Sequence, residues 1–547
     1  MAVQILERLR RHRPVILMTS AVAGAAIAVS GCGGDAEPST GAAAGEIASY
    51  VPAGSPVYVE ATTDFDGPQW TQVDALAKLF PAYPELRAQI EESLRGEDVD
   101  FETEVKPLLG ERAAIAGLDL PDAGEVQGSI TSGQPGAAAA AADDTEFVGV
   151  VEIADGQEAA LEALLVKEGA TAAGERDGAR LYTDDDTALA VADGVLIVSD
   201  TPEQVALALD AHAAGGDKTL GGTEKFTEAL AKLPADVFGQ AYIDIGALVQ
   251  AAGNENPQVA QLGLADYQNA VMAASLAAEP EGARVKGVVM GVPDPGTASF
   301  SPTLTDKAPA DAIAYLGFSD LSNTVTTTLD QIRASQSEEA RSQIDAVGGQ
   351  LPALLGVTLD DLSALTSGEH AIVVTSGDPD PGAVLALKVE DGARATQTLD
   401  ALRAGVPQLL RTFSPDTTLP QWQQVPLAAG VQGWRLPLSP EAGVVYGVDG
   451  DLALIGTSVP AVTAVQRPTA PLSGSDDYRA AVSGMPDEVT SVMFVNIEQA
   501  IAAARKLGAL EDAPAEALAN LRPLKSLTAW STGGDTPTFE VFLRVTG

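Results

Sequence analysis

LAVADGVLIVSDTPEQV, Leu189–Val205, returns later in the chain as YGVDGDLALIGTSVPAV, Tyr446–Val462. In each stretch two short apolar, β-branched-rich runs meet at Asp-Gly, and in the first an amphipathic run follows, with Val205, Ala208 and Leu209 on one face. Asp-Gly between apolar runs is a strong two-residue hairpin signal, because both turn positions need positive φ. The spacing predicts strands over 188–191 and 195–199 and a helix over 204–212. Asp193-Gly194 lies on Asp449-Gly450 at an offset of 256.

The self-similarity extends in both directions. VPAGSPVYVEATT from Val51 matches APADAIAYLGFSD from Ala308, placing Tyr58 on Tyr315 at an offset of 257. GERAAIAG from Gly110 matches GEHAIVVT from Gly368 at 258, which sets Glu111 on Glu369 and Arg112 on His370. Asp155-Gly156 matches Asp391-Gly392 at 236, and KLPADVFGQAYIDI matches GMPDEVTSVMFVNI at 252. The changes in offset place extra residues of the first copy in 119–146 and extra residues of the second around FSPDTTLPQWQQ, both with loop composition. Further strands are expected over 57–62, 113–118 and 147–153, a helix over 157–168, and closing hairpins over 271–278 with 284–292 and over 524–532 with 538–546. Helices packed on a mainly antiparallel sheet make an α+β unit, here expected as a tandem duplication.

The N-terminus has its own pattern. Arg8, Arg10, Arg11 and Arg13 precede an apolar stretch, Pro14–Val29, that is short for a bilayer core of about 30 Å. VSGC, Val29–Cys32, follows, and Cys32 is the single cysteine of the 547 residues. This resembles the lipobox of bacterial lipoproteins, which implies cleavage before Cys32 and its acylation. Gly33–Gly45 is small and polar, a tether with a reach of roughly 20 Å. The expected organisation is a signal peptide over 1–31, a tether over 32–46, a first repeat over 47–297 and a second over 298–547. The body is expected outside the cytoplasmic membrane, anchored to it through acylated Cys32.

The segments from Val51, the LGER turn, the DG junctions and KFTEALAKLPADVFGQAYID together resemble the secreted and lipid-anchored proteins of high-GC Gram-positive bacteria grouped as domain of unknown function 3352. The resemblance runs from about Ile47 to the C-terminus and departs at Leu108, where an aromatic is expected. It implies an envelope location and a duplicated fold, and it carries no catalytic or ligand residue.

Composition narrows the chemistry. A net charge of −44 repels nucleic acid, so no nucleic-acid partner is expected. One Cys and three His leave no intrachain disulfide and no Cys/His zinc site. There is no GxSxG elbow and no Gly-Lys of a phosphate loop. Of the histidines beyond the leader, His212 closes a predicted helix, where a cation suits the C-terminal dipole, and His370 begins a strand.

Asp184, Asp185 and Asp186 fall at a turn between strands and read as a solvated loop. Asp64–Gly67 and Asp378–Gly382 imitate pieces of a calcium loop without its spacing. Glu111 and Glu369 follow Gly at a strand entrance, as a turn device or as a duplicated ligand contact. Asp155, Asp193, Asp391 and Asp449 read as hairpin or cap residues. Trp70, Trp422, Trp434 and Trp530 form no stripe or pairing, so a sugar-stacking platform has no support. No catalytic residue, metal site or cofactor is assigned. The expected function is non-enzymatic binding or scaffolding; the alternatives are a carrier of an apolar ligand held between sheet and helices, and an envelope hydrolase built on carboxylates.

Overall fold

A computed structural model describes residues 46–94, 100–119, 146–184, 187–255, 264–293, 298–322, 352–353, 355–377, 380–413, 420–439 and 443–547. Cys32, the leader and the tether to Gly45 lie outside these residues, as do Asp185, Asp186, Asp378 and most of the first copy's insertion. The chain divides into two compact units between Pro293 and Asp294. No described helix is long and apolar enough to cross a membrane.

The first unit is an antiparallel sheet of β1 (Val57–Thr62), β2 (Leu109–Gly117), β3 (Phe147–Ile153), β4 (Thr171–Arg176), β5 (Ala179–Asp184), β6 (Thr187–Ala192), β7 (Val195–Ser199), β8 (Gly239–Asp244), β9 (Val271–Glu279) and β10 (Gly282–Met290). Their pairings give the order 4-5-6-7-3-2-1-8-9-10. The second unit is built from β11 (Ala314–Ser319), β12 (Glu369–Thr375), β13 (Gly382–Lys388), β14 (Gln423–Pro426), β15 (Gln432–Pro437), β16 (Gly443–Asp449), β17 (Leu452–Gly456), β18 (Ser491–Asn496), β19 (Leu524–Ser531) and β20 (Thr538–Val545). Its order is 14-15-16-17-13-12-11-18-19-20, the same sequence of pairings.

Strands β6 and β7 are apolar without alternation because both of their faces are covered. Ala188, Ala190 and Ile197 pack with Val205 and Leu209 of helix Pro202–Ala214 on one side. Leu189, Val191, Leu196 and Val198 pack with Leu161, Leu164 and Leu165 of helix Glu158–Lys167 on the other. Helix Pro202–Ala214 starts at a capping box in which Thr201 and Gln204 exchange hydrogen bonds. In the second unit Val384, Ala386 and Leu454 face Val462 and Val465, while Leu387 and Ala453 face Leu399.

Three local readings are corrected by the structure. Asp193 and Gly194 both have positive φ (43° and 80°) and form the β6–β7 turn, but Asp449 pairs with Leu452 inside the ladder, so that turn is Gly450-Asp451. Asp449 instead accepts from Gln466 Nε2 at 2.9 Å and pairs with Arg467. Asp155 caps nothing, since helix Glu158–Lys167 has Gln157 at its N-cap, whereas Asp391 does accept from the backbone N–H groups of Ala393 and Arg394. Part of the second copy's extra length lies in helix Gly392–Phe413, which has 22 residues against 10 for its counterpart. The polar hairpin of β4 and β5 was invisible to periodicity because every residue of β4 is exposed.

Candidate functional site

In β1, Tyr58 and Glu60 are two residues apart and therefore share the core face of the sheet. Glu60 stands in register with Ala114 on one side and Gln240 on the other, and Arg112 occupies the next position of the same face on β2. The Glu60 carboxylate takes three donors: Tyr58 Oη at 2.5 Å, Arg112 Nη1 at 2.7 Å and Gln240 Nε2 at 3.2 Å. Glu60 is 4% exposed and Gln240 2%, so this is a buried polar constellation inside an otherwise apolar sheet–helix interface. Burial foremost, and then the neighbouring Glu60 charge, push the Tyr58 phenol well above its ordinary range. The Gln240 amide oxygen is buried with no partner among the described residues. A buried acceptor left unpaired costs about 1–3 kcal/mol.

A β-bulge sets this arrangement. The β2–β3 register shifts between Leu109 and Ala113, whereas the described pairing of β12 with β13 has no such shift. Thr62 therefore faces Arg112, while its counterpart Ser319 faces Glu369. Arg112 and Glu369 hold the same register position, and the pairing of Arg112 with His370 read from the sequence is off by one residue. Glu111, displaced by the bulge, is exposed; its backbone N–H donates to Glu152 Oε2 at 3.1 Å. Burial raises the Glu152 carboxyl above its usual range. Gly110 and Gly368 precede these glutamates because a neighbouring strand passes close by. A Cβ on Gly110 would lie 2.6 Å from Glu152 Cβ, and one on Gly368 2.3 Å from the Lys388 carbonyl oxygen.

The second unit fills the equivalent space. Gly317 stands where Glu60 does, Val492 where Gln240 does, and Trp530 where Ser275 does. Tyr315 is as buried as Tyr58, but its hydroxyl has no partner among the described residues. Glu369 is not a second Glu111. It is buried, accepts from Leu304 N at 2.7 Å and from Thr303 Oγ1, and is raised chiefly by burial. His370 is fully buried on β12, donates from Nε2 to the Thr366 carbonyl at 2.9 Å, and is lowered chiefly by burial.

A cavity of about 200 Å³ opens beside the first constellation, lined by Glu60, Arg112 and Gln240 together with Asp64, Glu111 and Asp236. Asp64 and Glu111 also line a wider groove of about 910 Å³, whose walls include Asp66, Lys106, Glu152 and Asp193. In the second unit a small cavity of about 110 Å³ lies by Asp361 and Arg394, which pair at 3.0 Å.

The remaining sequence candidates scatter. His212 sits in the last turn of helix Pro202–Ala214, stacked on Tyr50 at 3.8 Å and bonded to Ser49 Oγ. Asp184 ends β5 opposite Thr187. Asp66 pairs with Lys106 at 3.0 Å, and among the described residues no three His, Cys, Asp or Glu side chains are placed to hold a metal ion. Trp70 donates to the Thr62 carbonyl and packs against Phe65 and Phe238. Trp422 and Trp434, read as unpaired, converge on the second unit: Trp434 pairs with Tyr446 across the sheet, Trp422 meets the Tyr446 ring at 5.6 Å, and Arg403 covers Trp434 at 4.0 Å. Sequence inspection did not single out Glu60 or Gln240. The available signal was a carboxylate two residues from Tyr58 in an apolar strand, set against glycine in the other copy.

The family described as "Protein of unknown function (DUF3352)" matches residues 15–545. No curated protein matches the chain. Among solved structures, crystal form III of TP0453 aligns at 10% identity and a TM-score of 0.25, covering 46% of this chain and 81% of that one. Crystal form IV aligns at 11% identity and a TM-score of 0.25, covering 45% and 81%.

Proposed function

The chain belongs to the DUF3352 family, proteins of unknown function, and from that premise we propose a lipid-anchored envelope protein that works by binding rather than by turnover, with its binding position in the first unit. The observation that carries this reading is the contrast between two units of one strand order. Glu60 and Gln240 line a polar cavity in the first, with Ser275 next to Gln240 in register, and Gly317, Val492 and Trp530 hold those register positions in the second. A buried polar cluster with an unpaired acceptor is retained at a cost in stability, which a binding role accounts for. The anchor rests on Cys32 following the apolar stretch Pro14–Val29. Two or more acyl chains hold a body at a membrane stably where one does not.

The apolar-carrier alternative calls for an apolar cavity between sheet and helices. Tyr58, Phe226 and Tyr242 fill that space in the first unit with edge-to-face contacts at 5.2 and 5.1 Å. The carboxylate-hydrolase alternative calls for acids from separate segments converging in a cleft; Asp64, Glu111 and Asp236 line one cavity with Glu60, but the Glu60 carboxylate is tied to three donors.

Native mass spectrometry of protein extracted from its own membranes tests both parts. The expected result is a chain beginning at an acylated Cys32 with a small molecule bound, and loss of that bound mass in a Gln240→Val, Ser275→Trp variant. A chain retaining Met1 with a free thiol overturns the anchor; wild type and variant carrying the same bound mass, or none, overturns the binding reading.

A further inference from the structure

The cavity beside Glu60 has one cation among its described lining residues, Arg112, and that side chain is one-third exposed. A guanidinium carries five N–H donors in a planar fork. One of them goes to Glu60 Oε1 at 2.7 Å, and among the described residues the guanidinium makes no other hydrogen bond. Arg112 therefore stands at the cavity with donors to spare, held in place by a carboxylate that is itself 4% exposed. Such a fork matches a carboxylate, which it grips through two parallel bonds. The remaining charges decide which carboxylate. Glu60 balances the Arg112 charge, and Asp64, Glu111 and Asp236, all exposed, leave the cavity net negative, so a simple anion is repelled. A simple cation leaves the Arg112 donors unmatched. A ligand bearing both charges meets both demands.

We propose that this cavity binds a small zwitterion, an α-amino acid, with its carboxylate on the N–H groups that Arg112 does not give to Glu60 and its ammonium group toward Asp64 and Asp236. The inference rests on the reading of the cavity as a binding position and adds the class of ligand. A volume of about 200 Å³ suits a ligand of a few heavy atoms. In the second unit the register position of Arg112 belongs to Glu369, a buried acid, so the site is confined to the first.

Calorimetric titration of the full chain with L-alanine tests this, with ethylamine and propionate as the same skeleton lacking one charge. The expected result is L-alanine binding with a Kd below about 1 mM and each single-charge analogue bound at least about tenfold more weakly. Arg112→Lys keeps a cation beside Glu60 but loses the fork, and should weaken L-alanine by at least about tenfold. Unfolding curves check that this variant is folded; if it is not, the Asp64→Asn, Asp236→Asn double variant, which changes only exposed positions and should also weaken L-alanine, decides alone. The proposal is overturned if L-alanine does not bind, if either analogue binds as tightly, or if the folded variants bind L-alanine as well as wild type does. Should the native protein carry a small molecule that Gln240→Val, Ser275→Trp loses while L-alanine fails to bind, the zwitterion assignment falls and the binding reading stands; should that variant keep the same mass, the binding reading falls as well.

Discussion

Glu60 and Gly317 hold one register position in two sheets of the same strand order: Glu60 lies between Ala114 and Gln240, and Gly317 between Ala371 and Val492. Glu60→Ala should destabilise the protein by about 1–3 kcal/mol, since it leaves the buried Tyr58 hydroxyl without its acceptor, while Arg112, one-third exposed, still reaches water. Arg112→Leu, which leaves the buried Glu60 carboxylate without its counter-charge, should cost more, about 3–5 kcal/mol. Urea unfolding of the two variants checks the order.

The reciprocal change should also fail. A Cβ on Gly317 would stand 2.8 Å from the Tyr315 hydroxyl, so Gly317→Ala overpacks the second unit and should cost about 1–3 kcal/mol. Gly368→Ala, 2.3 Å from a backbone oxygen that cannot swing aside, should be at least as severe. Gly54→Ala meets nothing within 4 Å and should stay within about 0.5 kcal/mol of wild type. Thermal unfolding of the three variants separates these outcomes.

Two adjacent buried groups in the second unit titrate with opposite consequences. Burial lowers His370 below 6.5, so the folded state resists its protonation; the stability it contributes is present above the unfolded value and lost as pH falls below about 6.5. Burial raises Glu369 above 4.5, so the folded state favours the protonated carboxyl, and the associated stability is present at low pH and lost as pH rises above 4.5. His370→Gln should therefore flatten the decline on the acid side, and Glu369→Gln should flatten the decline on the rising side. Unfolding free energies of wild type and both variants from pH 4 to 8 check the two slopes.

The aspartates before glycine should divide by role. Asp391→Ala removes a cap that serves two backbone N–H groups and should cost about 1 kcal/mol. Asp155→Ala, which removes no cap, should be near neutral. Asp449→Ala should loosen Gln466 and Arg467 at the end of helix Val459–Gln466. Denaturant midpoints measured side by side distinguish the three.

Much of the sheet was legible in the sequence because its signals are local. The runs 57–62, 147–153 and 195–199 are strands with those bounds, and Asp193-Gly194 turns as its residue types require. The Arg112–His370 pairing went astray because the β2–β3 register shifts between Leu109 and Ala113, and alignment by letters has no means of seeing which strand absorbs the extra length. The meeting of Trp422 and Trp434 with Tyr446 was hidden for a related reason: it depends on β15 and β16 coming side by side.

Amino-acid order alone determined the α+β class and the antiparallel hairpins, because apolar periodicity and turn chemistry act over a few residues. Only the tertiary structure decided that Glu60, Arg112 and Gln240 meet. They come from strands far apart in the chain, and a buried carboxylate acquires its partners through cross-strand register, a property of the folded sheet and of no single segment.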